Sequence, residues 1–100
     1  MPVRDDKASG GQHTVTVKLP AVLVDLFPGS SRIVEIEART VGEVIDGLDG
    51  LWPGMGDRLR DSRPSIRRHI NIFVDGERTR LDTQLGPGAE VFVLVAISGG

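Results

Sequence analysis

The last ten residues of the chain join its most apolar segment to a glycine-rich end. Residues 91–97 are seven consecutive apolar residues, several of them β-branched or aromatic, and Ser98, Gly99 and Gly100 follow directly. Such residues favour β-strands, and a strand that is apolar on both faces is typical of the centre of a sheet. The segment therefore predicts a central strand, from which residues 98–100 leave as a flexible C-terminal tail.

Composition indicates a single globular domain and excludes several kinds of chemistry. The 100 residues suit one domain, with 39% hydrophobic and 26% charged residues. The net charge of −2 gives no basic excess for nucleic acid, and the absence of cysteine excludes disulfides, Cys-ligated zinc and thiol catalysis within this chain. No apolar stretch reaches about 18 residues and no signal-peptide pattern is present, so we expect a cytoplasmic protein without a membrane partner.

Alternating apolar residues predict two strands near the start of the domain. Residues 1–12 are polar and lack a hydrophobic period, so we expect a disordered leader followed by a domain over residues 13–97. Residues 13–19 alternate in the manner of a half-buried strand that ends at Pro20. Residues 32–37 alternate in the same way and are predicted to pair antiparallel with the first strand.

A helix is predicted after the second strand. Thr40 and Glu43 have the spacing of a capping box, in which each side chain accepts a hydrogen bond from the backbone amide of the other residue. Apolar residues at three- and four-residue spacings give the helix one buried face, made of Val41, Val44, Ile45 and Leu48, with Trp52 at its end. Internal glycines and Pro53 limit it to about three turns, and residues 55–59 indicate one further turn.

The second half of the domain is predicted to form a hairpin and a final strand. Residues 70–74 form the third strand, Asp75-Gly76 is a two-residue hairpin turn, and residues 77–81 return as a shorter strand. The turn at residues 86–88 leads into the final strand. This order of elements indicates an α+β domain, with a mixed sheet of four to five strands and one main helix packed across it.

The alternation within the final strand separates a core face from an open face. Val91, Val93 and Val95 match the apolar stripes of the first and third strands, so we expect them to lie beneath the helix. The residues between them then lie on the open face, and clustered apolar residues on a surface are typical of a protein interface. The partner-binding residues predicted are Phe73, Phe92, Leu94 and Ala96 on this face, together with Ile97 and Ser98 next to the terminal glycines.

The ordered set of these features resembles the β-grasp sulfur carriers of the MoaD/ThiS family, the prokaryotic relatives of ubiquitin. The resemblance covers residues 14–100 through the amphipathic first strand, the helix that begins at Thr40, residues 70–75, residues 85–91 and the terminal Gly99-Gly100. No single part is specific, whereas the ordered set is. The resemblance implies a β-grasp fold and a carrier protein that is not itself an enzyme.

The resemblance also implies a chemistry for the tail. In this family an E1-like activating enzyme of the MoeB/ThiF type uses ATP and Mg²⁺ to adenylate the C-terminal carboxylate, here that of Gly100. Sulfide then displaces AMP and leaves a thiocarboxylate. Gly99 and Gly100 suit a narrow enzyme channel because neither has a Cβ atom. The chain itself would bind no cofactor, and its sulfur would pass to the large subunit of molybdopterin synthase or to a cysteine synthase homologue.

The receiving pathway and two alternative functions stay open at this point. Residues 67–74 resemble the cysteine-biosynthesis branch, whereas the chain length and the Gly-Gly end also suit the small subunit of molybdopterin synthase. The turn at residues 86–88 and the long leader depart from the family pattern. One alternative is a ubiquitin-like modifier that is conjugated to other proteins through Gly100. The other is a β-grasp interaction domain whose C-terminus is not activated.

The remaining charged residues carry weaker signals. His13 and His69 lack metal-ligand spacing, so no metal site is predicted. Asp46 and Asp49 are best explained as part of a solvated helix face. A local basic concentration, in an otherwise acidic chain, consists of Arg58, Arg60, Arg63, Arg67 and Arg68. A docking surface for an acidic partner is one interpretation of this segment, and its role stays open.

Overall fold

The computed structural model describes residues 12–62 and 65–96. The predicted tail and all but the last residue of the predicted leader lie outside these residues. In chain order the described elements are β1 (His13–Lys18), α1 (Ala21–Leu26), β2 (Ile33–Ala38), α2 (Val41–Leu51), α3 (Met55–Leu59), β3 (Ile70–Val74), β4 (Glu77–Arg78) and β5 (Glu90–Val95).

The described strands form one mixed sheet in the order β2-β1-β5-β3-β4. β5 lies at the centre, where it runs parallel to β1 and antiparallel to β3, so the predicted central position is confirmed. β1 and β2 pair antiparallel, as predicted. A central last strand parallel to the first, with the main helix between β2 and β3 in the chain, is the β-grasp architecture. The predicted fold class is therefore confirmed.

The hydrophobic core lies between α2 and one face of the sheet. Its most completely buried side chains include Val15, Val17, Val41, Val44, Ile45, Leu48, Ile72, Val91 and Val93. Val74 and Val95 pack against this core and are partly buried. Because successive side chains of a strand point to opposite faces, these residues define a single core face on each of the three central strands. The core face predicted from the alternation is confirmed.

The start of α2 confirms one half of the predicted capping box and corrects the other. Thr40 Oγ1 accepts a hydrogen bond from the Glu43 amide at 3.2 Å, as predicted. Glu43 Oε1, however, accepts from the amide of Arg39 at 2.8 Å, and the Arg39 guanidinium donates to both carboxylate oxygens. The side-chain hydrogen bonds from Arg39, and then its amide, hold the pKa of Glu43 below its usual value, and Glu43 raises the pKa of Arg39. An ion pair replaces the reciprocal contact because Arg39 offers a charged donor.

A short helix between β1 and β2 was not predicted. α1 begins after Pro20. The Pro20 carbonyl oxygen accepts hydrogen bonds from the backbone amides of Leu23 and Val24, both with N–O distances of 3.1 Å. Leu23 is its one buried residue. Six residues hold fewer than two turns, so the sequence carries too short a period to separate this helix from a loop.

The β3–β4 hairpin has the predicted turn but a shorter return strand. Asp75 and Gly76 both have positive φ, at 50° and 89°, as a two-residue turn of type I′ requires. β4 ends at Arg78, whereas the sequence predicts it to run to residue 81. Beyond Thr79, whose amide still donates to the Ile72 carbonyl of β3, the chain meets α2, where the Gly42 amide donates to the Leu81 carbonyl at 2.8 Å.

Two glycines of α2 are expected to respond oppositely to alanine substitution. A Cβ atom on Gly47 would lie 2.7 Å from Cγ2 of Ile36 in β2, whereas one on Gly50 would meet nothing within 4 Å. We expect Gly47→Ala to lower the free energy of unfolding by about 1–3 kcal/mol through overpacking. Gly50→Ala should raise it by about 0.5–1 kcal/mol because alanine favours helix. Urea unfolding measures both, and two changes of the same sign would contradict the close helix–sheet approach at Gly47.

Candidate functional site

A row of side chains crosses the open face of the sheet, on the side away from α2. We call it the transverse row; in order from β2 to β4 it comprises Ile33, Lys18, Phe92, Phe73 and Arg78, each the register partner of the next. The two phenylalanines lie on β5 and β3 and are half-buried. Lys18 Nζ lies 5.0 Å from the centroid of the Phe92 ring, which is a cation–π geometry. The centre of the open face is therefore aromatic, with a cation held over one ring.

Leu94 and Asn71 extend the open face toward the C-terminal end of β5. They are register partners on β5 and β3. Leu94 is 46% exposed, whereas the adjacent Val93 is 1% exposed on the core side. Among the described residues, Oδ1 of Asn71 is a buried side-chain oxygen without a hydrogen-bond partner.

The C-terminal end of β5 is the last part of the chain that the structure describes before the predicted tail. Ala96 follows β5, is exposed, and donates its amide to the carbonyl of His69 at 2.7 Å. The predicted site residues Ile97, Ser98, Gly99 and Gly100 lie outside the described residues. Leu94 is two residues before Ala96, so the open face and the start of the tail are neighbours.

The structure brings together three residues that the alternation assigns to the open face, and it adds others. Phe73, Phe92 and Leu94 lie on that face, as predicted. Lys18 and Ile33 also belong to it, although the sequence did not identify them. The alternation of β1 already places Lys18 opposite the buried Val17. What the sequence lacks is the register that aligns Lys18 with Phe92.

The other chemically suggestive residues do not form a second site among the residues that the structure describes. His13 begins β1 and His69 precedes β3, so the two histidines lie at opposite ends of the sheet. Asp46 forms an ion pair with Arg60, and Asp49 accepts hydrogen bonds from two backbone amides at the start of α3. Over residues 12–62 and 65–96, no group of three or more potential ligands could hold a metal ion.

Comparison with protein-family models matches residues 17–100 to the ThiS family. The matched span begins in β1, takes in the whole transverse row and ends at Gly100. The chain belongs to the ThiS family. The fold and the glycine tail predicted from the sequence are therefore features of one family domain that covers most of the chain. None of the described helices has the length and apolar character needed to cross a membrane.

Relatives of this ThiS-family chain bear two kinds of name. Sulfur carrier protein CysO of Mycobacterium tuberculosis is 34% identical over 92 residues, which cover 86% of this chain and 98% of that protein. Small archaeal modifier protein 1 of Haloferax volcanii is 29% identical over 84 residues, which cover 83% of this chain and 97% of the modifier. Sulfur carriers and a protein modifier are thus both similar to it over nearly their full lengths.

Solved structures agree with the sequence comparison. A chain in the crystal structure of the Amycolatopsis orientalis BexX/CysO complex superposes with a TM-score of 0.77 at 30% identity, covering 86% of this chain and 99% of that one. The crystal structure of SAMP1 from Haloferax volcanii superposes with a TM-score of 0.74 at 29% identity, covering 87% and 99% of the two chains. The ubiquitin-like β-grasp fold is common to all of them.

Proposed function

We propose that this protein is a sulfur carrier whose Gly100 carboxylate is adenylated by an E1-like activating enzyme and converted to a thiocarboxylate. The observation that carries the proposal is the Gly99-Gly100 end, which follows the central strand of a ThiS-family domain. The similarity to CysO over 98% of that protein supports it. The carrier itself performs no chemistry and binds no cofactor; ATP and Mg²⁺ belong to the activating enzyme. Because its activation would consume ATP, we place the carrier in the cytoplasm.

Activation solves a chemical problem at the carboxylate. A carboxylate resists nucleophilic attack because its charge is delocalised and its leaving group would be oxide. Attack of the Gly100 carboxylate on the α-phosphorus of ATP forms the acyl-adenylate and releases pyrophosphate. Hydrosulfide then attacks the acyl carbon, and AMP leaves with the bonding electron pair. Two easier steps replace one difficult step, as in covalent catalysis generally.

The open face supplies the docking surface in this proposal. Phe92, Phe73 and Leu94 form an apolar centre beside the start of the tail, and exposed apolar clusters of this kind are typical of protein interfaces. An activating enzyme that holds this face would also direct residues 97–100 into its channel. Ala96, Ile97 and Ser98 would line the entrance of that channel.

We further propose that a cysteine synthase homologue receives the sulfur. The similarity to CysO and the resemblance of residues 67–74 to the cysteine-biosynthesis branch favour this recipient over the large subunit of molybdopterin synthase. A thiocarboxylate sulfur is nucleophilic at neutral pH without a local base. The recipient therefore has to supply an electrophile and a channel for the tail.

Intact-mass measurement tests the proposal. Incubation of the purified chain with the activating enzyme of the same organism, ATP, Mg²⁺ and sulfide should raise its mass by about 16 Da, as one oxygen is replaced by sulfur. Omission of ATP is the control and should leave the mass unchanged. An unchanged mass in the complete mixture would contradict the thiocarboxylate.

The second candidate function is a ubiquitin-like modifier, which the similarity to small archaeal modifier protein 1 supports. Both functions need the same adenylation of Gly100 and differ in the acceptor of the acyl group. In cell extract, a modifier would form isopeptide bonds to lysines and appear as adducts larger than the free chain. A free thiocarboxylate without such adducts favours the carrier.

A further inference from the structure

Charged side chains give the sheet an acidic end and a basic end. The acidic end is the one at which β5 begins, and the register brings five carboxylates to it or close to it. They are Glu35, Glu37, Asp75, Glu77 and Glu90. None of them pairs with a cation among the described residues. The chain continues toward its C-terminus from the opposite end, where β5 ends at Val95.

Basic side chains lie at the end of the sheet from which the chain continues toward its C-terminus. Arg58, Arg67 and His69 line one cavity beside α1, and Arg68 directly precedes His69. The carbonyl of His69 accepts a hydrogen bond from the amide of Ala96, which ties this group to the last residue that the structure describes. We call Arg58, Arg67, Arg68 and His69 the tail-exit surface. Lys18 and Arg32 lie at the same end of the sheet, on β1 and just before β2.

Most of these arginines form no ion pair within the described part of the domain. Neither Arg58 nor Arg68 forms an ion pair with a described carboxylate, and both are exposed. Arg67 donates from Nε to the backbone carbonyl of Asp57, which leaves its charge unpaired. Carboxylates also lie at this end of the described structure: Asp57 in the same cavity, Asp25 on α1, and Asp49, whose Oδ1 accepts the amide hydrogen of the cavity-lining Gly54. Arg60, by contrast, is paired with Asp46, and Arg63 lies outside the described residues.

We propose that the tail-exit surface docks against an acidic surface of the activating enzyme, beside the channel that receives the tail. This inference rests on the proposed function. An acidic mouth attracts the basic end of the carrier and repels its acidic end, so the tail approaches first. Charge complementarity of this kind raises association rates and fixes orientation.

The reach of the tail favours a protein surface over the phosphates of the nucleotide. Four residues, 97–100, follow Ala96 and span at most about 14 Å when extended. With the tail extended into a channel, the adenylate on Gly100 lies at the far end of that span from His69. The cations at the tail exit then face the mouth of the channel.

Charge reversal tests the inference. Arg58→Glu and Arg68→Glu alter exposed residues, so both variants should fold, which thermal unfolding checks. At low salt we expect each to raise the KM for the carrier in the adenylation reaction by on the order of tenfold, chiefly through a slower association rate. The kcat at saturating carrier should change less than twofold. At 0.5 M NaCl the difference in KM should largely disappear, because salt screens exposed charges.

Arg80→Glu is the matched control, since it makes the same change in net charge at an exposed arginine that pairs with Asp82. Its KM should stay within about twofold of the unaltered chain, as is usual for a charge outside the interface. Equal KM values for all variants at low salt would overturn the docking surface, and a change in the KM for ATP instead would indicate a nucleotide contact and also overturn it. Absence of adenylation of the unaltered chain would overturn the proposed function itself, and this inference with it.

Discussion

Deletion of Gly99 and Gly100 is expected to abolish ATP-dependent adenylation while leaving the domain folded. The buried core of the described residues contains nothing beyond Val93, and the sheet ends at Val95. The deletion removes the carboxylate that we propose to be adenylated but none of these core residues. We therefore expect the melting temperature to change by less than about 2 °C. Pyrophosphate release with the activating enzyme measures the loss of activity, and circular dichroism measures the stability.

A second variant distinguishes the requirement for the two glycines from the requirement for the position of the carboxylate. One alanine added after Gly100 retains both glycines but moves the carboxylate by one residue and gives it a Cβ neighbour. It should also fail to be adenylated, because a slot that fits glycine does not admit a larger residue. Adenylation of the truncated chain at the rate of the full chain would eliminate the carrier function.

Aspartate at positions 93 and 94 is expected to give opposite results, although the two residues are adjacent. Val93 is 1% exposed in the core, so Val93→Asp should unfold the domain by burying an unpaired charge. Leu94 is 46% exposed on the open face, so Leu94→Asp should preserve the fold. It should weaken binding to the activating enzyme by about 2 kcal/mol or more, the scale of an interface hot spot. Thermal unfolding and titration calorimetry measure the two effects.

Leu51→Asp is the matched control for Leu94→Asp. Leu51 is 51% exposed at the end of α2, on the other side of the sheet. The same substitution there should leave both the fold and the binding close to those of the unaltered chain. If Leu51→Asp weakened binding as much as Leu94→Asp, the effect would come from the added charge, and the open face would not be the docking surface.

Local patterns were sufficient to predict most of the fold. The alternation of Val15 and Val17, the spacing of Val44, Ile45 and Leu48, and the Asp75-Gly76 turn each report a structure formed within a few residues of the chain. α1 and the early end of β4 were missed. α1 is too short to show a period. β4 ends at Arg78, three residues before the Leu81 carbonyl accepts a hydrogen bond from the Gly42 amide of α2, which is distant in the sequence.

Some residues of the candidate site could likewise be assigned from the sequence, and others could not. Phe92 and Leu94 could be assigned to the open face from the parity of β5, and the functional interpretation of Gly99 and Gly100 follows from their place in the sequence and from the family pattern. The partners of Phe92 could not be assigned. Lys18 is 74 positions away in the chain, and only the parallel pairing of β1 with β5 brings its Nζ to 5.0 Å from the Phe92 ring centroid.

The sequence by itself determined the element types, the core face and the chemistry available at the C-terminus, because each depends on residue identity and short-range periodicity. Tertiary structure decided the order of the strands, the transverse row and the separation of charge between the two ends of the sheet. Those features depend on which strands pair and in which register. Pairing is set by how all the apolar faces are buried together, and no single segment encodes it.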